Sequence, residues 1–233
     1  MYLPKYLTII FIFIYQFSYA QYDIYVKSIL KLPKNIPVKL KGEFKKDSTN
    51  NFIKFYKFSN STFPVKYYPP QKDVDCGYFE LYNQKYTIKG KFKEYKKFGC
   101  DLDEYSFKIF KITLSKKTYF IITSIAWTSG TGTRNVFCNL FDVTNKEKPI
   151  YYPLWSMYGS NLCFGDYNND GNLDFLEIRY DPSSKNNDIF RATFTTIDGT
   201  NFKRIEDKYI VFKREYRDKD LPLIVALENK WLQ

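Results

Sequence analysis

The sequence predicts an all-β protein whose antiparallel hairpins form a sandwich or a partial propeller-like stack. The chain contains 22 tyrosines and 22 phenylalanines, and it is rich in isoleucine, valine and threonine; all of these residues favour half-buried pleated surfaces. Apolar residues rarely recur at helical spacing, and turn signals recur after about eight to twelve residues. We therefore expect about ten to thirteen short strands.

The first residues of the chain have the pattern of a secretory signal peptide, which we place at residues 1–20. Lys5 supplies the positive start, residues 6–15 form an apolar core, and Ser-Tyr-Ala provides a cleavage site. The next residue is glutamine and not cysteine, so no lipid anchor is expected. The apolar core is too short to span a bilayer, and no later stretch approaches the length of a membrane helix. We expect residues 21–233 to form a single secreted β domain, either extracellular or periplasmic.

Alternation of apolar and polar residues predicts the strands of the first half. An extended opening over residues 22–40 is interrupted by prolines, and a strand follows at residues 51–58. Residues 60–75 contain several prolines and predict a long loop or an edge strand. Further strands are expected at residues 77–91, 105–114 and 118–127.

The second half continues the strand pattern. Residues 129–134 (SGTGTR) lack the spacing and the following helix of a phosphate-binding loop, so they predict a hairpin turn. Asp220-Leu221-Pro222 could start a helix that runs to about Trp231, but we favour a final strand or an irregular segment. The β pattern crosses residues 115–120, which favours a single domain over a boundary there. The other strands are expected at residues 136–143, 150–155, 189–197, 201–205 and 209–213.

The chain contains no histidine. This absence excludes Ser-His-Asp and Cys-His catalysis. It also removes the ligand on which most zinc, copper and non-haem iron sites depend. The chemistry of any site must therefore come from carboxylates, amides, hydroxyls or thiols.

Four cysteines suggest two disulfides in an exported chain, because an even number of cysteines outside the cytoplasm usually pairs. Nearest neighbours along the chain, Cys76 with Cys100 and Cys138 with Cys163, would close loops of similar length. Each bridge would stabilise the fold by about 3 kcal/mol. Buried thiols are the alternative, in a compartment that is poorly oxidising.

The net charge is +11, from 36 lysines and arginines against 25 acidic residues. The lysines are dispersed among aromatic residues, which is typical of a solvated surface. The alternative is an anionic partner such as an acidic polysaccharide, lipid headgroups or extracellular nucleic acid. Nucleic acid is the least expected of these partners.

Residues 164–179 (FGDYNNDGNLDFLEIR) carry the clearest chemical signal in the chain. A hard cation such as calcium takes about six to eight oxygen ligands at short range. Gly171 permits the positive φ of a sharp turn around an ion, and the carbonyl of Asn172 can face inward. A polar surface turn between two strands is the alternative. The side chains that predict a calcium site are Asp166, Asn168, Asp170 and Asp174.

The same run matches the spacing of an EF-hand loop, with Glu177 in the last position. Glycine and serine precede the loop and are poor helix formers, whereas the residues from Phe175 onward alternate with the period of a strand. We therefore expect the loop to lie between strands. Whether Glu177 reaches the ion stays open.

The pattern F-G-D-x-N-x-D-G-x-x-D-F resembles the calcium loop of FG-GAP/VCBS-type repeats, found in integrin alpha-subunit propellers and many secreted bacterial proteins. In that family the loop lies between strands. The resemblance covers this loop alone, in one copy. It implies a backbone ligand at Asn172 and side-chain ligands at Asp166, Asn168, Asp170 and Asp174.

These features favour a secreted, non-catalytic calcium-binding β module, used for binding or adhesion at the cell surface or outside the cell. The ordered loop could present aromatic residues to a glycan or a protein, although aromatic residues in a β protein are more often buried. The aromatic candidates are Trp127, Trp155 and Tyr158. The alternative function is a carboxylate-dependent, glycosidase-like hydrolase, for which no spacing selects a pair of acids. Its candidate acids are Asp142, Glu177 and Asp181.

Overall fold

A computed structural model describes most of the chain after its first 32 residues. The described ranges are residues 33–47, 55–60, 62–70, 76–88, 102–103, 106–125, 136–157, 163–185, 189–199, 201–215 and 223–230. Within these ranges the chain forms strands and no helix, which confirms the all-β prediction. The predicted signal peptide, the SGTGTR turn, Trp127 and Tyr158 lie outside them.

The described strands form three antiparallel sheets of five strands each. The N-terminal sheet has the order β2-β3-β4-β5-β6, the middle sheet β1-β7-β8-β9-β10, and the C-terminal sheet β11-β12-β13-β14-β15. The strand bounds are β1 (Val38–Lys39), β2 (Phe44–Asp47), β3 (Phe55–Phe58), β4 (Val65–Tyr68), β5 (Tyr78–Leu81), β6 (Gln84–Thr87), β7 (Lys108–Leu114), β8 (Lys117–Ile125), β9 (Val136–Asp142), β10 (Ile150–Ser156), β11 (Phe164–Gly165), β12 (Leu173–Tyr180), β13 (Ile189–Asp198), β14 (Asn201–Glu215) and β15 (Leu223–Asn229).

The N-terminal sheet differs from the sequence prediction in three ways: β2 was not expected, β4 is a central strand in place of a loop or an edge strand, and a hairpin replaces one expected strand. Strand β4 lies inside the proline-rich segment, because Pro64 and Pro69 flank the strand and leave its own amides free to pair. Residues 77–91, expected as one strand, contain the hairpin of β5 and β6. Its turn residues Tyr82 and Asn83 have φ of +49° and +63°. Two positive φ values in a two-residue loop match the twist of a hairpin, even though glycine is absent here.

Long strands build the other two sheets. Residues 115–116 form the tight turn between β7 and β8, so the boundary considered near residues 115–120 lies within a hairpin. The segments predicted as separate strands at 201–205 and 209–213 form one strand, β14, with a register shift opposite Thr193 and Phe194. Strand β15 confirms the preference for a strand over a helix at the C-terminal end.

Two apolar cores lie between the sheets, and a third is formed mainly by the C-terminal sheet around Phe194. One core lies between the N-terminal and middle sheets, where Phe63 stacks on Phe120 with ring centroids 4.0 Å apart. The other lies between the middle and C-terminal sheets and includes Leu140 and Phe164. Because β9 supplies residues to both cores, all seven of its side chains are buried. The middle sheet is therefore the layer on which the other two pack.

The cysteines depart from the predicted pairing. Cys138 and Cys163 are buried thiols in the core between the middle and C-terminal sheets, and the predicted bridge between them is not formed. Burial, with a smaller contribution from the neighbouring Cys163, raises the pKa of Cys138 well above its usual value. Buried thiols pack as small apolar side chains, so this core does not require the bridge. The predicted Cys76–Cys100 pair stays a prediction, since Cys100 lies outside the described residues.

A buried carboxylate closes the turn after β12. Asp181 accepts hydrogen bonds from the Ser183 amide at 2.9 Å and from Arg191 Nε at 2.6 Å. Burial alone would raise the pKa of Asp181, but hydrogen bonds from the Ser183 hydroxyl, from Arg191 and from the Ser183 amide outweigh burial and lower it. The Arg191 guanidinium also lies over the Tyr209 ring, 4.4 Å from its centroid. Asp181 therefore helps to hold β12, β13 and β14 together.

We expect Asp181→Asn to lower the free energy of unfolding at neutral pH by about 1–2 kcal/mol, a value reduced for solvent screening because Arg191 is 34% exposed. A lowered folded-state pKa stabilises above the unfolded value of about 3.9, and this stabilisation is lost as pH falls through the folded value. The difference between wild type and variant should therefore shrink in urea titrations below pH of about 4. An unchanged difference at low pH would contradict this account. Asp198→Asn, at an exposed position, is the control.

None of the described residues belongs to a helix that is both long and apolar enough to cross a bilayer.

Candidate metal centre

The predicted calcium loop runs from β11 to β12, at the start of the C-terminal sheet. Gly165 pairs with Asp174 across these strands, so the first and last predicted ligands are brought close together. The N-terminal segment fixes the start of the loop, because Lys34 and Asp166 exchange two backbone hydrogen bonds of 3.0 and 3.1 Å. The prediction of a loop between strands is confirmed.

Asp166 lies beneath the loop and is only 3% exposed. Its Oδ2 accepts the amide hydrogen of Gly171 at 3.1 Å, across the loop. Its Oδ1 is buried and accepts no hydrogen bond from the described groups. A buried charged oxygen without a partner is costly, because it has lost its hydration and gained nothing in return.

Asp174 is 0% exposed and is the second buried carboxylate of the loop. Its Oδ1 accepts from Thr196 Oγ1 at 2.6 Å, and its Oδ2 accepts from the Tyr167 amide at 2.8 Å. Burial raises the pKa of Asp174; these hydrogen bonds oppose the rise and the charge of Asp170 adds to it. The loop thus places negative charge where solvation is poor.

Asn168 and Asp170 lie on the exposed side of the loop. Asn168 Nδ2 donates to Asp170 Oδ2 at 2.9 Å, and the Asp170 amide donates to Asn168 Oδ1 at 3.1 Å. The amide of Asn172 donates to Asp170 Oδ1 at 2.7 Å. Local hydrogen bonds therefore hold the exposed oxygens near one another in consecutive turns.

Positive φ values and one tertiary hydrogen bond set the course of the loop. Asn169 and Gly171 have φ of +59° and +82°, which glycine and asparagine adopt most readily. Ser115 Oγ, in the turn between β7 and β8, donates to the Gly171 carbonyl at 2.7 Å. The middle sheet thereby anchors the apex of the loop.

The oxygens of the loop fit a hard cation in kind, and the buried Asp166 Oδ1 has no hydrogen-bond partner among the described groups. In the arrangement described, however, the acidic side chains do not converge: among the described residues no group of three or more His, Cys, Asp or Glu side chains could hold a metal ion. The loop therefore presents two buried carboxylates, while the oxygens of Asn168 and Asp170 accept hydrogen bonds within the loop. A cation would have to compete with those hydrogen bonds.

The other acidic candidates have structural partners. Glu177 lies on β12 three residues after Asp174, so the strand directs the two side chains to opposite faces. Its carboxylate pairs with Arg179. Asp142 accepts the amide hydrogen of Thr144 at 2.9 Å, and Asp181 pairs with Arg191. Each acid that was considered for a hydrolase therefore has a structural partner.

The residues that the sequence failed to indicate are those that support the loop. Thr196 reaches Asp174 because the two residues are paired between β12 and β13. Ser115 arrives from another sheet, and Pro33 packs against Gly165. No local pattern marks any of them. Of the aromatic candidates, Trp155 is partly buried and lies under the Arg179 guanidinium, 4.6 Å from the ring centroid.

Protein-family models, curated proteins and solved structures were compared with the chain, and no match was found. The resemblance to FG-GAP/VCBS-type loops accordingly stays a prediction that depends on the loop residues themselves.

Proposed function

We propose that this chain is a secreted, non-catalytic β module whose loop from Asp166 to Asp174 binds one calcium ion. The observation that carries the proposal is the buried, unpartnered Oδ1 of Asp166. Its companion oxygen is fixed by the Gly171 amide, so Oδ1 cannot turn to solvent without breaking that bond. A divalent cation would supply the missing partner.

Electrostatics supports the same proposal. Asp166, Asp170 and Asp174 lie in one short loop, and burial together with the charge of Asp170 disfavours ionisation of Asp174. A doubly charged ion would reverse that unfavourable balance. Calcium is the expected ion because it accepts oxygen ligands in irregular arrangements, whereas magnesium demands a near-octahedral shell.

Asp166 and Asp174 would hold the ion with buried carboxylates, and Asn168, Asp170 and the Asn172 carbonyl would complete the shell. The bound ion would neutralise the loop and fix its course between β11 and β12. Because the loop is hydrogen-bonded to the turn between β7 and β8, ion binding would also stabilise the contact between the middle and C-terminal sheets. In this role calcium is structural, and the surfaces it stabilises do the binding.

Export supports a weak calcium site. The signal-peptide pattern at residues 1–20 favours an extracellular or periplasmic location. Extracellular modules commonly bind calcium with dissociation constants of about 0.1–1 mM, because the ion is abundant there.

We expect calcium at ten to one hundred times its dissociation constant to stabilise the fold by about 1.4–2.7 kcal/mol, which raises Tm by roughly 3–10 °C. Asp166→Asn should abolish this shift. Asparagine keeps an acceptor for the Gly171 amide and removes the buried charge, so the variant should melt close to the wild type in chelator. Thermal melting of the wild type and the variant in calcium, magnesium and chelator measures the calcium-induced shift in Tm, its loss in Asp166→Asn, and the Tm of each protein without calcium.

Asp198→Asn makes the same chemical change at the exposed end of β13 and should keep the full calcium shift. If Asp166 serves only as a turn former, Asp166→Asn and the wild type will respond to calcium alike. That result, or a wild type that melts at the same temperature in calcium and in chelator, would overturn the proposal.

A further inference from the structure

The outer face of the N-terminal sheet carries two parallel rows of side chains. The inward residues of β4 and β5, among them Tyr67 and Phe79, are buried against the middle sheet. Since strand residues alternate between faces, their neighbours along the chain project to the other side. One row on that side is charged and the other is aromatic.

The charged row, named here the lysine row, crosses all five strands in direct cross-strand register. Its members, from β2 to β6, are Lys45, Lys57, Lys66, Glu80 and Lys85. Adjacent strands are about 4.8 Å apart, so the first three lysines follow one another at that interval. Like charges placed directly opposite destabilise a sheet. The fold tolerates this repulsion in two successive cross-strand pairs, Lys45 with Lys57 and Lys57 with Lys66.

Internal pairing neutralises only part of the lysine row. Glu80 forms an ion pair with Lys66, with 2.6 Å between the carboxylate oxygen and the ammonium nitrogen. Lys45 meets Glu43 at 3.2 Å, but both side chains are largely exposed and such pairs contribute little. Lys57, between two lysines, forms no ion pair with the described acidic residues. Its ammonium group is exposed at the centre of a positive line.

The aromatic row lies directly beside the lysine row. Tyr68 stacks on Phe55 with ring centroids 5.2 Å apart, and on Tyr78 with centroids 4.4 Å apart. Lys85 covers Tyr78, with its ammonium 4.1 Å from the ring centroid. The ring faces are therefore occupied by one another and by lysine, and the Tyr68 hydroxyl donates to Glu80 Oε2 at 3.3 Å. This gives a flat surface with little conformational freedom.

A groove of about 550 Å³ lies at the β2–β3 end of this face. Lys45, Lys46 and Lys57 line it together with the polar residues Ser59 and Asn60, and Asp47 lies among them. The groove adds hydrogen-bonding groups beside the lysine row, and Lys46, whose strand position belongs to the other face, lines it at the edge of the sheet.

We propose that this face, the lysine row with the adjoining groove, binds an acidic polysaccharide that carries carboxylate or sulfate groups. Ammonium groups at strand spacing can meet anionic groups placed along an extended sugar chain, and tyrosine and amide groups can meet its hydroxyls. The surface does not suit single-stranded nucleic acid, because base binding needs free ring faces for stacking. It does not suit a membrane surface either, because the rings are half-buried and cannot insert.

The test is binding to heparin, followed by titration with salt in the presence of chelator so that calcium makes no contribution. This separates the proposal from the calcium site, which it does not require. We expect Lys45→Gln/Lys57→Gln to bind heparin about tenfold more weakly at low salt, and the slope of log affinity against log salt to fall by about two. Removing like charges should leave the melting temperature of the variant no lower than that of the wild type.

Lys148→Gln/Lys185→Gln removes the same charge at two exposed positions outside the lysine row and should bind as the wild type does. An equal loss in both double variants would mean that only net charge matters, and would overturn the proposal. The proposal would also be overturned if the wild type did not bind heparin at low salt. The same holds if it bound single-stranded DNA or anionic vesicles more tightly than heparin.

Discussion

Replacing Phe141 with alanine should lower the free energy of unfolding by about 3–5 kcal/mol. Phe141 is 0% exposed near the C-terminal end of β9, in the core between the N-terminal and middle sheets. Truncation would remove one ring from a connected aromatic cluster and leave a cavity among side chains held by two sheets, so collapse around it is limited. Its ring neighbours are Phe63, Phe79, Tyr86 and Tyr151.

Urea denaturation monitored by far-UV and near-UV circular dichroism measures this loss. Phe202→Ala is the matched control: Phe202 is 47% exposed, so its truncation should lower the free energy of unfolding far less. Since the sheets share cores, the wild type should unfold in one transition by both probes. Two separate transitions, or equal losses in the two variants, would contradict the packing of the N-terminal sheet on the middle sheet.

Gly165→Ala should destabilise the fold by about 1–3 kcal/mol and weaken calcium binding together. A Cβ at this position would lie 2.4 Å from Pro33 Cβ and 2.6 Å from Pro33 Cγ, which is far inside contact distance. The N-terminal segment would have to move away, and the paired backbone bonds between Lys34 and Asp166 would be strained. Asp166 would then lose the position that leaves its Oδ1 buried.

Gly199→Ala distinguishes backbone strain in general from damage to the loop. Gly199 has φ of +56°, and a Cβ there would meet nothing within 4 Å. Alanine at this position should lower the free energy of unfolding by about 1 kcal/mol, because it would have to adopt a left-handed conformation. The calcium-induced shift in Tm should be unchanged. A Gly165→Ala protein that keeps the full calcium shift would show that Pro33 and Gly165 do not position the site.

The sequence predicted most strands correctly because their local pattern and their environment agree. Strand β9, with seven buried side chains, was found as a run rich in apolar residues. The hairpin between β5 and β6 was missed because its turn, Tyr82-Asn83, uses positive φ without glycine. Residues 60–75 were expected as a long loop or an edge strand because proline argues against a central strand, although here the prolines flank β4, the middle strand of its sheet.

The loop was predictable because its ligands are contiguous, whereas its supports were not. Thr196 meets Asp174 through the register of β12 and β13, and Ser115 arrives from a different sheet. Register and sheet packing are set by the whole fold and leave no local pattern. The prediction of a Cys138–Cys163 bridge was wrong for a related reason: the number of cysteines does not distinguish thiols that pack in a core from thiols that form a disulfide.

Calorimetric titration of the purified wild type with calcium, beside Asp166→Asn, tests the central claim most directly. The account predicts one calcium ion per chain with a dissociation constant of about 0.1–1 mM, much weaker binding of magnesium, and loss of the calcium signal in Asp166→Asn. A wild type that binds no calcium up to about 10 mM, ten times the weak end of that range, would contradict it. So would an Asp166→Asn protein that binds calcium as the wild type does.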